Sequence, residues 1–146
     1  MWQQFIVQGV FSYLATIGFG ICSNVPRRAL HVCGLTGLTG WLVYWSLLQL
    51  EIGKMLPNLA GAFALALLSW VIARRHKIPV IIVNIPGLVP LVPGGVAYRA
   101  VRAFALGNYP LGIRFTVQVL MIAGAIAVGF MLAQLVTSPG QLRRQK

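Results

Sequence analysis

The residues best placed for chemistry lie in one stretch, Ile85-Pro86-Gly87-Leu88-Val89-Pro90-Leu91-Val92-Pro93-Gly94-Gly95-Val96-Ala97-Tyr98-Arg99. With Pro79 just before it, four prolines fall in the otherwise apolar run 78–93. Each proline removes a backbone donor and clashes with the preceding turn, so one regular helix cannot hold them all. A helix broken at membrane depth offers free N–H groups and a positive dipole end to an anion, and opened carbonyls to a cation or a proton-bearing group. A new half-helix starting near Gly94-Gly95 would carry Tyr98, Arg99 and Arg102. The two arginines are three apart and share a helical face, where a guanidinium fork holds a carboxylate bidentately. Asn84 and Tyr98 add hydrogen-bonding groups. Asn84, Pro86, Pro90, Pro93, Gly94, Gly95, Tyr98, Arg99 and Arg102 together make a candidate solute path. Two plainer readings stand beside it: a kinked helix whose prolines shape packing only, and arginines that belong to a loop outside the membrane.

Other chemistry is sparse. Glu51 is the single acid in the chain and so the one carboxylate able to couple to protons; an interfacial pair with Lys54 is its plainer reading. His31 and His76 flank basic loops and read as interfacial. Cys22 and Cys33 have neither CxxC spacing nor a metal-ligand neighbourhood, so they read as small buried apolar residues. There is no Asp, no His-x-x-x-His, no Gly-x-Ser-x-Gly and no carboxylate pair, which leaves an enzymatic reading, a metal site or a cofactor without support.

These residues must be held by helices in lipid. Among 146 residues 58% are hydrophobic and 9% charged, with a mean hydropathy of +0.83. A soluble domain needs about a quarter of its residues charged, so the exterior of this chain faces a bilayer. The net charge of +11 resides in short clusters between apolar runs, Arg27-Arg28, Arg74-Arg75-His76-Lys77 and Arg143-Arg144-Gln145-Lys146. That is loop patterning under the positive-inside rule, not a basic face for nucleic acid. The expected fold is an all-α bundle of about five transmembrane helices in one domain. Its spans run at about 5–22, 32–50, 56–73, 78–105 (the broken one) and 113–136, and a basic tail follows over 137–146. Met1-Trp2-Gln3-Gln4 has no basic lead or cleavage site, so the first span is expected to be retained. Small residues at Gly34, Gly37, Gly40, Ala60, Ala64, Ala125 and Gly129 suit close helix packing. Loop charges place the N-terminus outside, with eight basic residues inside and four outside. The count is the same whether 78–105 crosses or re-enters.

Two of these segments resemble the threonine/serine exporter (ThrE-like) family. The first is Asn24-Val25-Pro26-Arg27-Arg28-Ala29-Leu30, followed by Cys33-Gly34, Gly37 and Gly40. The second is Pro86 through Gly94 followed by Tyr98, similar to the family's proline-glycine signature. Together they cover about residues 16 to 104. Asn24, Pro26, Arg28, Pro86, Pro90, Pro93, Gly94 and Tyr98 match the family motifs, whereas Arg99 and Arg102 lie outside the pattern. The resemblance implies the small subunit of a two-component secondary exporter in the bacterial cell membrane. It further implies a larger membrane subunit carrying the first half, and export of threonine and serine or of a succinate-like dicarboxylate. A non-transporting scaffold subunit and a small self-assembling channel, a homo-oligomer, are the alternatives.

Overall fold

The computed structural model describes residues 2–50 and 53–137. All regular structure among them is helical: α1 Trp2–Cys22, α2 Arg27–Leu48, α3 Met55–His76, α4 Val80–Leu88, a 3-10 turn Val89–Leu91, α5 Gly94–Ala105 and α6 Tyr109–Thr137. Gln3–Cys22, Met55–His76 and Tyr109–Thr137 are long and apolar enough to cross a bilayer. The pair Val80–Leu91 and Gly94–Ala105, bent by 57°, supplies a fourth span if taken as one. Helix α2 has the length, 22 residues, but its glycines, threonines and aromatics make it less apolar. Its position explains this composition: it packs against α1, α3 and α4 together, so it faces protein rather than lipid.

The turns that launch α2 and α4 share one construction. Asn24 (φ 56°) and Lys77 (φ 52°) take the left-handed conformation that ends a helix. Two residues later comes Pro26 or Pro79, extended with ψ near 134° or 133°, as the first residue of the next turn. Val25 and Ile78, the residues between, pack on one apolar cluster formed by Val32, Cys33 and Val83. Helix α2 therefore begins at Arg27 rather than at Val32, because Pro26 opens the helix instead of belonging to a loop. Helix α6 likewise starts four residues before Ile113. Asn108 accepts a hydrogen bond from Leu111 N at 3.2 Å, and Pro110 falls in the first turn, where no donor is required.

Contacts along the helices fix their directions. Gln8 meets Trp41 and Gly20 meets Leu30, so α1 and α2 are antiparallel. Gly40 meets Leu65, and Gly61 meets Tyr44, which makes α2 and α3 antiparallel. Gly129 of α6 faces Leu59 O and Ala62 of α3, while Thr137 and Trp70 border the same cleft, so α3 and α6 are parallel. The chain between them must return along the whole bundle. It does so through α4, which descends α3 from Val80 until Leu91 reaches Gly61, and through α5, whose Phe104 ring packs on Gly112. The broken segment thus traverses the bundle instead of turning back on itself. Beyond the bend, α5 packs on α6 and on no other described helix.

The small residues that permit these approaches are partly the expected ones. A Cβ on Gly37 would collide with the Thr16 hydroxyl, and one on Gly129 would stand 2.5 Å from Leu59 O. On α3 the packing face is Gly61, Ala62 and Ala66, all buried, rather than Ala60 and Ala64, which are half-buried. Hydroxyls complete the α1–α2 crossing: buried Ser12 donates to Gly37 O at 3.1 Å and Thr16 to Ser12 O at 2.8 Å.

Candidate functional site

The prolines of the broken segment leave carbonyls without their usual helical donors, and the structure shows where two of those carbonyls go. Pro86 sits inside α4 and has no N–H for Ile82 O. The Cys33 thiol of α2 donates to that oxygen at 3.4 Å. Cys33 therefore has a specific task, satisfying a carbonyl freed by a proline 53 positions away in sequence. Further along, the chain tightens into its 3-10 turn: Val92 N reaches Val89 O at 3.4 Å as well as Leu88 O at 3.3 Å. This supplies a donor to the Val89 carbonyl that Pro93 would otherwise leave open.

The break is packed rather than open. Pro86, Gly87 and Leu91 are buried, and a Cβ on Gly87 would stand 2.8 Å from Thr36 Oγ1. Pro90 is half-buried on the 3-10 turn, and Pro93 leads into α5 at the 57° bend. Gly94 and Gly95 have open space around them, so their role is at the bend and not in close packing. Tyr98, Arg99 and Arg102 are all exposed on α5 and make no hydrogen bond or ion pair with the described residues, so the broken segment and these three groups are not gathered into one pocket. Arg99 and Arg102 stand exposed on the same half-helix, apart from the buried part of the break. Glu51 lies outside the described residues, as do the tail's basic residues.

The segment does border a cleft, on the α4 side. Helices α4 and α6 both pack on α3 but not on each other, which leaves a groove of about 370 Å³ between them. Ala66 and Trp70 form its floor, Val80, Ile81 and Asn84 one wall, and Phe130, Ala133, Gln134 and Thr137 the other. Of the residues expected to handle a solute, Asn84 is the one that lines it. The Arg74 guanidinium lies 4.3 Å from the centre of the Trp70 ring, a cation–π contact that brings one member of the basic cluster to the floor's end. Trp70, Gln134 and Thr137 were not legible as site residues, because a groove between non-consecutive helices leaves no local pattern. A second hollow of about 360 Å³ lies at the opposite end, between the start of α1 and the end of α2, with Gln3, Gln4, Gln8 and Gln49 around Trp45.

The motif loop at Asn24, Pro26 and Arg28 is accounted for by the turn itself. Asn24 tolerates the left-handed conformation, Pro26 sets the entry to α2, and Arg28 is exposed on its first turn. His31 nearby is exposed and hydrogen-bonded to the Tyr13 hydroxyl at 3.0 Å.

The family model described as "Threonine/Serine exporter, ThrE" matches residues 8–136. A probable threonine/serine exporter of Mycobacterium tuberculosis is 27% identical over 127 residues, 86% of this chain and 24% of that protein. A threonine/serine exporter of Corynebacterium glutamicum is 30% identical over 116 residues, 80% of this chain and 24% of the relative. The chain thus spans about a quarter of the length of these relatives. No solved structure matches it significantly. With a match over nearly its whole length, this multi-pass membrane chain belongs to the threonine/serine exporter family.

Proposed function

We propose that the chain is the small subunit of a two-component secondary exporter of small amino acids, placed in the cell membrane with its N-terminus outside. A larger membrane subunit supplies the remaining helices. The observation that carries this reading is the broken helix α4–α5, whose first half packs against α2 and α3 and borders a groove, and whose second half packs on α6 alone among the described helices. Irregular backbone is tolerated at membrane depth where protein or a polar cavity covers it, and such segments are where secondary transporters hold their solutes. Family membership supports amino-acid export, and the relatives' fourfold greater length supports a further subunit.

The test is efflux of radiolabelled threonine, serine and succinate from cells without their own exporters. These would express this chain, a candidate larger half, or both. Efflux from cells with both and not from either alone is the expected result. Equal efflux from the larger half alone would refute a transporting role and leave the chain as a scaffold. Flux through the purified chain by itself would make it a channel.

A further inference from the structure

Helix α5 has no place of its own in the bundle. By the end of the 3-10 turn the crossing is nearly complete: Leu91 meets Gly61, which follows Met55, the first residue of α3, by six positions, or about 9 Å along the axis. The chain then bends by 57° into a helix of 12 residues. At about 18 Å that helix is too short to cross a hydrocarbon core of about 30 Å. It packs on α6 alone among the described helices, through the buried Ala100 and Ala103. Its outward face carries Tyr98, Arg99, Val101 and Arg102, all exposed. A short helix turned away from the direction of α4, with small apolar residues inward and arginines outward, has the build of one that lies in the membrane interface.

The two arginines lack a counter-charge. Neither makes an ion pair or hydrogen bond with the described residues. The whole chain holds one acid, Glu51, against twelve lysines and arginines, so a second copy is a poor source of carboxylates. Their position is also unusual. Arg27 and Arg28 open α2, and Arg74, Arg75 and Lys77 close α3, so these five share one end of the bundle. Helix α5 leads into the α5–α6 turn at the other end, where the rule that gathers loop charges on one side does not account for basic residues. Lipid phosphates are the anions found at that depth, and a guanidinium grips a phosphate bidentately. Tyr98 stands beside them, an amphipathic ring of the kind that collects at the head-group level. We propose that α5 lies in the membrane interface, opposite the basic turns, and that Arg99 and Arg102 bind the head group of an anionic phospholipid. This placement is independent of what the chain transports.

The experiment uses the purified full chain with a fluorophore on Val101→Cys, in a Cys22→Ala background where the remaining Cys33 is buried. The chain is reconstituted in phosphatidylcholine nanodiscs with a trace of phosphatidylglycerol or phosphatidylcholine bearing a nitroxide quencher on the acyl chain next to the glycerol. Phosphatidylglycerol is expected to quench at about fivefold lower mole fraction than phosphatidylcholine. A nitroxide at the chain end, near the bilayer centre, is expected to quench less. Arg99→Gln with Arg102→Gln should bring the two lipids within about twofold of each other while the helical spectrum stays unchanged. The matched pair Arg27→Gln and Arg75→Gln, at the other end of the bundle, should leave the preference intact. If the α5 double variant fails to fold, salt raised to about 1 M on the unsubstituted arginines, where the screening length is about 3 Å, is expected to halve the preference or more. Equal quenching by the two lipids, a preference that survives loss of both arginines or about 1 M salt, or stronger quenching from the chain end would overturn the assignment. So would displacement of the lipid by inorganic phosphate, or an arginine-dependent association with the larger half in place of any lipid preference, which would give the pair to a partner's carboxylates.

Discussion

Gly87 on the broken segment offers a stringent test of how α4 is seated. A methyl group at this position would lie 2.8 Å from Thr36 Oγ1, 3.4 Å from Leu65 Cδ1 and 3.5 Å from Gly37 N. Only the first of these contacts is prohibitive. Thr36 is fully buried and its hydroxyl is tied to Cys33 O at 2.8 Å, so it cannot swing aside freely. Gly87→Ala gains about 1 kcal/mol of helix propensity and loses roughly 1–3 kcal/mol to overpacking, a net loss of up to about 2 kcal/mol. Thr36→Ala removes a back-bond within its own helix and a methyl group, at a cost of roughly 1 kcal/mol. In the double variant the obstacle is gone and the new methyl group fills the vacated space. The double should therefore be more stable than the sum of the singles by about 1–2 kcal/mol, well outside the ~0.3–0.5 kcal/mol expected of independent sites. Unfolding of the purified variants in mixed micelles, followed by tryptophan fluorescence, measures this coupling directly. Additive losses would refute the seating of Gly87 against Thr36. The rescue should extend to efflux if α4 must stay seated for transport.

Two further outcomes are expected. Cys22 is exposed at the end of α1 and Cys33 is buried; with the N-terminus outside, as proposed, a membrane-impermeant maleimide should label Cys22 from the cytoplasmic side alone and leave Cys33 untouched. In a Cys22→Ala background, Leu106→Cys, at a site 72% exposed, should instead label from outside; labelling from inside would show that the broken segment re-enters. Cys33→Ser, which keeps a donor for Ile82 O, should retain wild-type stability within about 0.5 kcal/mol, whereas Cys33→Ala should lose about 1–2 kcal/mol in the same unfolding assay.

The local features were legible in the sequence. Apolar runs located the long helices α1, α3 and α6, and the prolines with Gly94-Gly95 located the half-helix that begins at Gly94. Features that depend on pairing between distant segments were not. Whether 78–105 crosses turns on Gly129 lying against Leu59 and Ala62, a contact across 67 to 70 positions that loop charges do not encode. Cys33 looked inert because its acceptor exists only through Pro86. Arg99 and Arg102 were correctly placed on one half-helix, but the helix turns them outward, since α5 uses Ala100 and Ala103 against α6. Asn84 alone among the polar candidates reaches the groove, because it precedes the bend and so remains beside α3.

Helix α6 is a single unbroken rod of 29 residues, about 44 Å long. It rests against α3 most closely at Gly129, where backbone meets backbone. That contact lies 20 residues from one end and eight from the other, so the rod is a lever with a long outer arm, about 30 Å, and a short inner arm, about 12 Å. The outer arm carries α5, held by nothing else described; the inner arm is the far wall of the groove. A tilt that draws α5 toward the bundle moves Phe130, Gln134 and Thr137 the opposite way, at less than half the amplitude. A partner that gripped α5 and tilted α6 would therefore change the width of the groove at the rod's other end.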